Sequence, residues 1–251
     1  MTLCVLALVL IIVYAYQKRL SFLEKRRLEQ DAFSRQLINA HESERHRIAG
    51  ELHDSLGQEL LIIKNWSLLL LRQIPEKDKN RKQIEEISET ATRALDETRN
   101  ISRNLRPQYL QKFGLTETLQ NMAKKIEDST KIKIKISIVN IDGLFSPEEE
   151  LSIYRIIQEC LNNIIKHSGA KNSQLNIRFI AASLELTNSQ EKVEIVIKDD
   201  GIGFDLVSKR KTSFGLDNIV QRTELLSGRY IINSAPGKGT TITITLPIKS
   251  A

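Results

Sequence analysis

The chain has 251 residues, enough for one or two domains with cores of their own plus a helical extension, and too few for a large multidomain receptor. Hydrophobic residues make up 41% and charged residues 27%, which is typical of a globular protein, while 11 Gly and 5 Pro exclude collagen-like or low-complexity sequence. Cys4 and Cys160 lie far apart in apolar surroundings, which excludes a disulfide framework or a cysteine zinc site and favours a reducing compartment.

Half of the net charge of +6 lies in one segment near the start of the chain. Residues 17–36 contain six Lys or Arg and three Asp or Glu, and the preceding run 3–16 has no charged side chain. Basic residues after an apolar run are typical of the cytoplasmic side of a membrane helix with its N-terminus outside. The charge therefore indicates a membrane partner, and we predict no direct nucleic-acid binding.

The apolar run predicts a transmembrane helix over residues 1–16, followed by a juxtamembrane coiled-coil linker over 17–40. About 16 helical residues reach roughly 24 Å, whereas the hydrocarbon core is roughly 30 Å thick, so we expect a part of a longer helix. A cleaved signal peptide is one alternative, although the basic residues follow the run instead of preceding it. An apolar helix end packed in a soluble dimer is the other.

From Gln17 to about Ile74 apolar residues recur at helical spacing, which predicts one long helix leaving the membrane. Pro75 interrupts the pattern, and a second amphipathic helix is predicted over about 80–103. A helical hairpin cannot bury its apolar stripe alone, and the apolar run 68–71 is poorly suited to solvent. We therefore predict that residues 41–107 form a homodimeric four-helix bundle.

After Pro107 the periodicity changes. Residues 131–136 and 240–246 alternate between apolar and polar, and residues 193–197 form a further strand-like run. Helical patterns lie at about 115–126, 147–167 and 215–226. Strands with interspersed helices predict an α/β sandwich over 108–249, so the chain as a whole is assigned to the α+β class.

The first long helix contains the segment Glu-Leu-His-Asp at 51–54. In a regular helix His53 has Ala49 and Gly57 as its neighbours four residues away, which leaves the imidazole accessible. Neutral imidazole is a competent nucleophile, Asp54 can orient it and accept its proton, and Gln58 can position a water. A solvated His in a charged helix is the alternative, and an isolated His-Asp pair favours it.

A second group lies in the helical pattern that begins near Pro147. Glu159 and Asn163 are four residues apart and share a helix face, so their oxygens can hold Mg²⁺ directly or through water. Lys166 adds a positive charge for phosphates. An amphipathic helix that merely exposes these side chains is the alternative.

Glycine-rich segments follow the strand-like run 193–197, open the helical pattern at 215 and open the last predicted strand. Asp199 stands at a strand end before Gly201 and Gly203, where a carboxylate can accept a hydrogen bond from an adenine amino group. Backbone donors for phosphate are expected from the segments containing Gly215, Leu216, Gly237 and Gly239, with the Thr240 hydroxyl near the base. Each glycine segment alone is more often a tight turn.

The order of these motifs resembles sensor histidine kinases of the NarX/DesK-like subfamily. The resemblance covers about residues 34–249 and rests on Glu51 to Gln58, Leu105-Arg106-Pro107, Gly114-Leu115, Glu159, Asn163, Lys166-His167, Asp199-x-Gly201-x-Gly203, Gly215-Leu216 with Arg222, and Gly237-x-Gly239-Thr240. Two positions depart from the subfamily pattern: Asn162 stands where Thr is common, and Asp200 where Asn is common.

The resemblance implies a dimerisation and phosphoacceptor hairpin at 41–107 and an ATP-binding domain of the GHKL (Bergerat) type at 108–249. It further implies ATP and Mg²⁺ as cofactors, with Asn163 and Glu159 as candidate metal ligands and Asp199 at adenine. Residues 205–214, with Lys209, Arg210 and Lys211, would form a mobile lid.

The implied reaction is phosphoryl transfer from ATP to His53 and then to an aspartate of a response regulator, which we expect to carry a helix-turn-helix output domain. The implied location is the inner or plasma membrane, single-pass, with the catalytic part in the cytoplasm. Two alternatives differ in chemistry: an anti-sigma-factor serine kinase, which needs no His-Asp hairpin, and a membrane-tethered scaffold with a vestigial nucleotide site.

Overall fold

The computed structural model describes residues 2–180, 191–206 and 214–248. It divides into two compact units, Met1–Pro107 and Gln108–Ala251. The first unit is entirely helical, and the second combines helices with one sheet.

The first unit is a helical hairpin, as predicted. Helix α1 (Thr2–Glu51) continues through a π-helical turn (Leu52–Leu56) into α2 (Gly57–Gln73), and α3 (Arg81–Leu105) returns. Residue Ile74 is extended, with ψ at 146°, because the following proline disfavours helical backbone at that position. Arg81 caps the end of α2 by donating to the Leu71 carbonyl oxygen over 3.2 Å.

The interior of the hairpin contains mostly small side chains. Ser67 on α2 is buried together with Ala91, Leu95 and Thr98 on α3. A hydroxyl also links α3 to α1, since Ser102 donates to the Ala49 carbonyl over 3.1 Å. Large apolar side chains of α2 remain exposed in the single chain; they are Leu61, Ile62, Ile63, Trp66, Leu68, Leu69 and Leu70.

The prediction of a transmembrane helix over residues 1–16 is not supported. Within the residues that the structure describes, no helix combines the length and the apolar character needed to cross a membrane.

In its described residues, the second unit has three helices and five strands. Its elements are α4 (Gln108–Ser129), β1 (Lys133–Ile138), α5 (Pro147–Asn163) with a following π turn (Ile164–Ser168), β2 (Asn172–Ile180), β3 (Lys192–Asp199), α6 (Phe214–Leu225), β4 (Arg229–Ser234) and β5 (Thr240–Pro247). Backbone at Gly114 is not helical and divides α4. The part after it begins where Asp142 accepts a hydrogen bond from the Thr116 N–H over 2.8 Å.

The five strands form one sheet in the order β1-β2-β3-β5-β4, with β1 and β2 parallel and the other pairs antiparallel. Alternation along the strands buries one face of the sheet, including Leu175, Ile195 and Ile244. This face and the buried helix residues Leu119 and Ile157 belong to one core. The predicted α/β arrangement is confirmed, although strands β2 and β4 were not among the predicted elements.

The start of α5 is fixed by a capping box. Ser146 accepts from the Glu149 N–H, Glu149 accepts from the Ser146 N–H, and Pro147 occupies the first turn, where its missing N–H is harmless. These interactions begin the helix that carries Glu159 and Asn163.

We predict that Ser146→Ala lowers the free energy of unfolding by about 1 kcal/mol, because a backbone N–H of the first turn loses its acceptor. The measurement is chemical denaturation followed by circular dichroism. Ser137→Ala, at an exposed position of β1, is the control and should leave the unfolding curve unchanged. Equal curves for both variants and the wild type would contradict a stabilising cap.

Candidate functional site

A cavity of roughly 330 Å³ lies in the second unit, between α5, the end of β3, the first turn of α6 and the start of β5. Residues singled out in separate parts of the sequence meet on its wall: Glu159, Asn163, Asp199, Gly203, Gly215, Leu216 and Thr240. His167 also lines it. The sheet order brings them together, because β3 and β5 are neighbours although about 40 residues separate them.

Asp199 is the buried carboxylate of this cavity, with 5% of its surface exposed. It is the last residue of β3 and pairs with Thr240 of β5. Its Oδ1 accepts a hydrogen bond from the Gly201 N–H over 2.8 Å, which orients the carboxylate. A buried carboxylate held in this way can accept a further hydrogen bond from a ligand amino group.

The glycines after β3 allow close packing of the loops around Asp199. A Cβ on Gly203 would collide with the Ala235 carbonyl oxygen, and one on Gly239 with the carbonyl oxygen of Asp199 itself. Both have positive φ, 59° and 69°, which side-chain-bearing residues rarely adopt. Gly201 is equally confined, because its Cβ would meet the Ser168 carbonyl oxygen.

The structure places four of the predicted nucleotide-binding residues off the described cavity wall: Lys166, Gly201, Gly237 and Gly239. Gly201 and Gly239 pack against backbone next to the cavity. Lys166 is exposed in the π turn after α5, and Gly237 donates its N–H to the Ile202 carbonyl. The predicted lid falls largely on residues 207–213, which lie outside the described residues.

Glu159 and Asn163 line the cavity one turn apart on α5. The start of α6 lies against them, since a Cβ on Gly215 would collide with Glu159 Oε1 and come within 3.5 Å of Asn163 Nδ2. Among the described residues, no cluster of three or more His, Cys, Asp or Glu side chains is arranged to hold a metal. This donor set fits Mg²⁺ held mainly by ligand phosphates and water, with one or two protein oxygens.

Sequence reasoning missed the apolar part of the cavity wall. Ile164, Ile197, Ile202, Phe204 and Ile242 line it together with Cys160 and Ser168. Ile197 and Ile242 lie on the buried side of their strands, so the strand alternation could have identified them. Burial raises the pKa of the Cys160 thiol, so this cysteine acts as an apolar side chain.

The departure at Asp200 has a structural role. Its Oδ1 accepts from the Lys171 and Asn172 N–H groups, each over 2.9 Å, and its Oδ2 accepts from Asn172 Nδ2 over 2.7 Å. The backbone hydrogen bond from Asn172 is the main cause that lowers the pKa of Asp200. Asp200 therefore ties the loop after β3 to the start of β2.

His53, Asp54 and Gln58 lie in the first unit, all three exposed to solvent. His53 and Asp54 are within the π turn, where the Gly57 N–H donates to the Leu52 carbonyl five residues earlier. The expectation of regular α-helical spacing is therefore wrong here, because the π turn contains an additional residue. Leu56, the last residue of the π turn, is 41% exposed in the single chain.

Comparison with known proteins identifies both units. Residues 44–110 match the model of a histidine kinase family (HisKA_3), and residues 148–250 match the family of histidine kinase-, DNA gyrase B- and HSP90-like ATPases. Most of the second unit therefore matches an ATPase domain, which implies ATP binding.

Three curated proteins are similar over most of this chain. The signal transduction histidine-protein kinase/phosphatase DegS of Brevibacillus brevis is 33% identical over 88% of this chain and 55% of its own length. The oxygen sensor histidine kinase NreB of Staphylococcus carnosus is 32% identical over 88% of this chain and 61% of its own length. An uncharacterized sensor-like histidine kinase of Chloroflexus aurantiacus is 33% identical over 86% of this chain and 36% of its own length. The chain thus spans about a third to three fifths of their lengths.

The chain belongs to the histidine kinase family, in the class that joins a HisKA_3 hairpin to this ATPase domain. The resemblance inferred from the sequence is confirmed.

Asp199→Asn should weaken ATP binding by about 1 to 3 kcal/mol, or roughly 5- to 150-fold, because a buried acceptor for an amino group is partly replaced by a donor. Isothermal calorimetry measures the effect. Asp200→Asn is the matched control. This adjacent carboxylate accepts a hydrogen bond from Asn172 and is not among the described residues that line the cavity. Unchanged affinity in Asp199→Asn would rule out the role of this carboxylate.

Proposed function

We propose that this chain is the signalling core of a sensor histidine kinase. It transfers the γ-phosphoryl group of ATP to His53 and then to an aspartate of a response regulator, and it also acts as that regulator's phosphatase. The observation that carries the proposal is the cavity in which Asp199, Thr240, Asn163 and Glu159 meet, in the same chain as an exposed His-Asp pair.

The cavity divides into a part suited to a base and a part suited to phosphates. Asp199 and Thr240 lie beside the apolar side chains Ile197 and Ile242, where an adenine ring would be held with its amino group on the carboxylate. Glu159 and Asn163 lie near Gly215 at the start of α6, where backbone N–H groups favour anions. The position of Asn163 also suits the metal-nucleotide complex.

Mg²⁺, when bound with ATP, would supply positive charge that neutralises the phosphates. Asn163 is the first candidate among its protein ligands, and Glu159 is the second, directly or through water. Phosphoryl transfer depends chiefly on positioning and electrostatics, so the residues of the cavity act by orienting the nucleotide. Lys166 contributes positive charge at the surface after α5.

His53 is proposed as the nucleophile. A neutral imidazole nitrogen attacks the γ-phosphorus, the bond to the ADP oxygen breaks, and Asp54 orients the ring and accepts the proton that it loses. Exposure of both side chains in the π turn supports this role, because the acceptor must be reached both by nucleotide and by a receiver domain. π-helical turns occur frequently at functional sites.

Histidine kinases dimerise through the hairpin and act with response regulators, and we propose a four-helix bundle for this chain. Support comes from the exposed apolar face of α2, where Trp66 is 67% and Leu69 52% exposed in the single chain. Patches of this kind mark association surfaces. The proposed partner is a receiver domain, with a helix-turn-helix output domain expected beside it.

The phosphatase activity rests on Gln58 and on one relative. The Brevibacillus brevis protein is a kinase/phosphatase by its name. Gln58 is exposed one turn beyond Asp54 and can orient a water by donating and accepting hydrogen bonds. That water would attack the phosphorylated aspartate of the regulator.

Membrane attachment at residues 1–16, the linker at 17–40, and a cytoplasmic catalytic part at 108–249 stay predictions from the sequence. Their support is the apolar run 3–16 and the basic residues that follow it.

His53→Gln should abolish autophosphorylation and leave ATP affinity near that of the wild type, because acceptor and nucleotide cavity lie in different units. The assay is incorporation of label from γ-labelled ATP, tested for acid lability and base stability. His46→Gln is the control, since His46 is an exposed histidine of the preceding helix α1. Full labelling of His53→Gln, or an acid-stable label, would refute the assignment.

Gln58→Ala should leave autophosphorylation and forward transfer largely intact but slow regulator dephosphorylation by roughly ten- to a hundredfold, comparable to losing one positioned catalytic contact. Decay of a purified phosphorylated regulator with each variant measures this. Gln73→Ala, at an exposed glutamine at the end of α2, is the control. Equal decay rates for Gln58→Ala and the wild type would exclude the phosphatase role.

A further inference from the structure

The continuous helix formed by α1, the π turn and α2 changes its register against α3 at the π turn. Residues with reduced exposure recur every three or four positions on both sides, as one face of a helix requires. They include Arg45, Ala49 and Leu52 up to the turn and Gly57, Leu60, Lys64 and Ser67 beyond it. Between Leu52 and Gly57 the step is five residues. Because one residue corresponds to about 100° of rotation, the turn offsets α1 and α2 by that amount from their arrangement in a regular helix.

Ser102 of α3 contacts α1 immediately before this turn. Its hydroxyl donates to the Ala49 carbonyl oxygen over 3.1 Å, and Ala49 is 2% exposed. In a regular α-helix that carbonyl accepts from the N–H four residues later, which is the N–H of His53. A side chain that inserts into this ladder of backbone hydrogen bonds is a known cause of local helix distortion. Ser102 therefore competes for the acceptor that α-helical geometry assigns to the backbone of His53.

Helical geometry is regular on both sides of the turn. Arg47 forms an ion pair with Glu51, four residues later, which requires that both share one face of α1. After the turn, the Ser67 hydroxyl donates to the Ile63 carbonyl, four residues earlier, over 2.8 Å. The distortion therefore belongs to the short segment that directly follows the Ser102 contact.

Two other hydroxyls of α3 are bonded differently from that of Ser102. Thr92 donates to the Ser88 carbonyl and Thr98 to the Ala94 carbonyl, each over 2.8 Å and within α3 itself. The Ser102 hydroxyl instead crosses to the backbone of another helix. Removing it therefore removes a link between α3 and α1, whereas removing the hydroxyl of Thr92 does not.

We propose that Ser102 is a positioning residue for the phosphoacceptor. Its hydrogen bond to the Ala49 carbonyl stabilises the π turn and thereby fixes the direction in which the His53 imidazole is presented. Without this bond, residues 52–56 return more readily to regular α-helical hydrogen bonding, which rotates the imidazole relative to a flanking helix. The inference rests on the proposed function, because it takes His53 as the acceptor of the phosphoryl group.

The test is autophosphorylation of the full chain with γ-labelled ATP. For Ser102→Ala we expect the rate at saturating ATP to fall about three- to tenfold, which corresponds to the loss of one hydrogen bond. The ATP concentration that gives half of the maximal rate should not change, because the nucleotide cavity lies in the other unit. Ser102→Thr keeps the hydroxyl and should stay within about twofold of the wild type.

A small phosphoryl donor separates the direction of the imidazole from its reactivity. Phosphoramidate can approach an exposed imidazole from any open side, and His53 is exposed. Phosphorylation of His53 by phosphoramidate should therefore be equally fast in Ser102→Ala and the wild type, whereas transfer from ATP needs an aligned attack and is slowed. Thr92→Val is the matched control, since it removes a hydroxyl that is bonded within α3, and it should change neither reaction.

Equal ATP-dependent rates for Ser102→Ala and a wild type that is labelled at His53 would overturn this inference alone. Equal losses in Ser102→Ala and Ser102→Thr would overturn it as well, because the effect would then not depend on the hydroxyl. An equal loss with phosphoramidate would also overturn it, because the imidazole itself would be affected. A wild-type chain that ATP does not label at His53 would refute the proposed function, and the inference with it.

Discussion

The position of Asp199 at the end of β3 is the constraint on which the nucleotide cavity depends. Its carboxylate is oriented by the Gly201 N–H, and its backbone is approached so closely by Gly239 that no larger residue fits there. Gly203 passes the Ala235 carbonyl equally closely. The loop after β3 and the start of β5 therefore hold each other in place, and the buried carboxylate becomes a fixed acceptor next to the apolar wall residues Ile197 and Ile242.

The hairpin shows a different distribution of side chains. Small residues such as Ala91 and Ser67 fill the space between α2 and α3, while the large apolar residues of α2 remain outside. Packing small residues brings the helices close together, and the exposed face is the one that we propose for dimerisation. The π turn with His53 continues directly into α2, so the proposed association surface and the proposed phosphoacceptor belong to one continuous helical element.

Local patterns predicted much of this chain. The proline at 75 ended the first long helix where expected, and the pattern from 147 gave a helix beginning at Pro147. The predicted residues Glu159, Asn163, Asp199 and Thr240 do line one cavity. Strand β2 was not predicted, although Leu175 and Ile177 alternate with polar residues. The π turn at His53 was not predicted either, because the apolar spacing on both sides of one additional residue is still helical.

The sequence by itself determined the helical hairpin, the α/β class of the second unit and the chemistry of its motifs, because these depend on residue type and short-range periodicity. Only the tertiary structure decided which motif residues face the cavity. Gly201 and Gly239 pack behind it, Asp200 ties two loops together, and Ser173 stands beside Asp199. Such placements depend on strand order and register, which join residues about 26 positions apart and are fixed by packing of the whole sheet, not by any local sequence pattern.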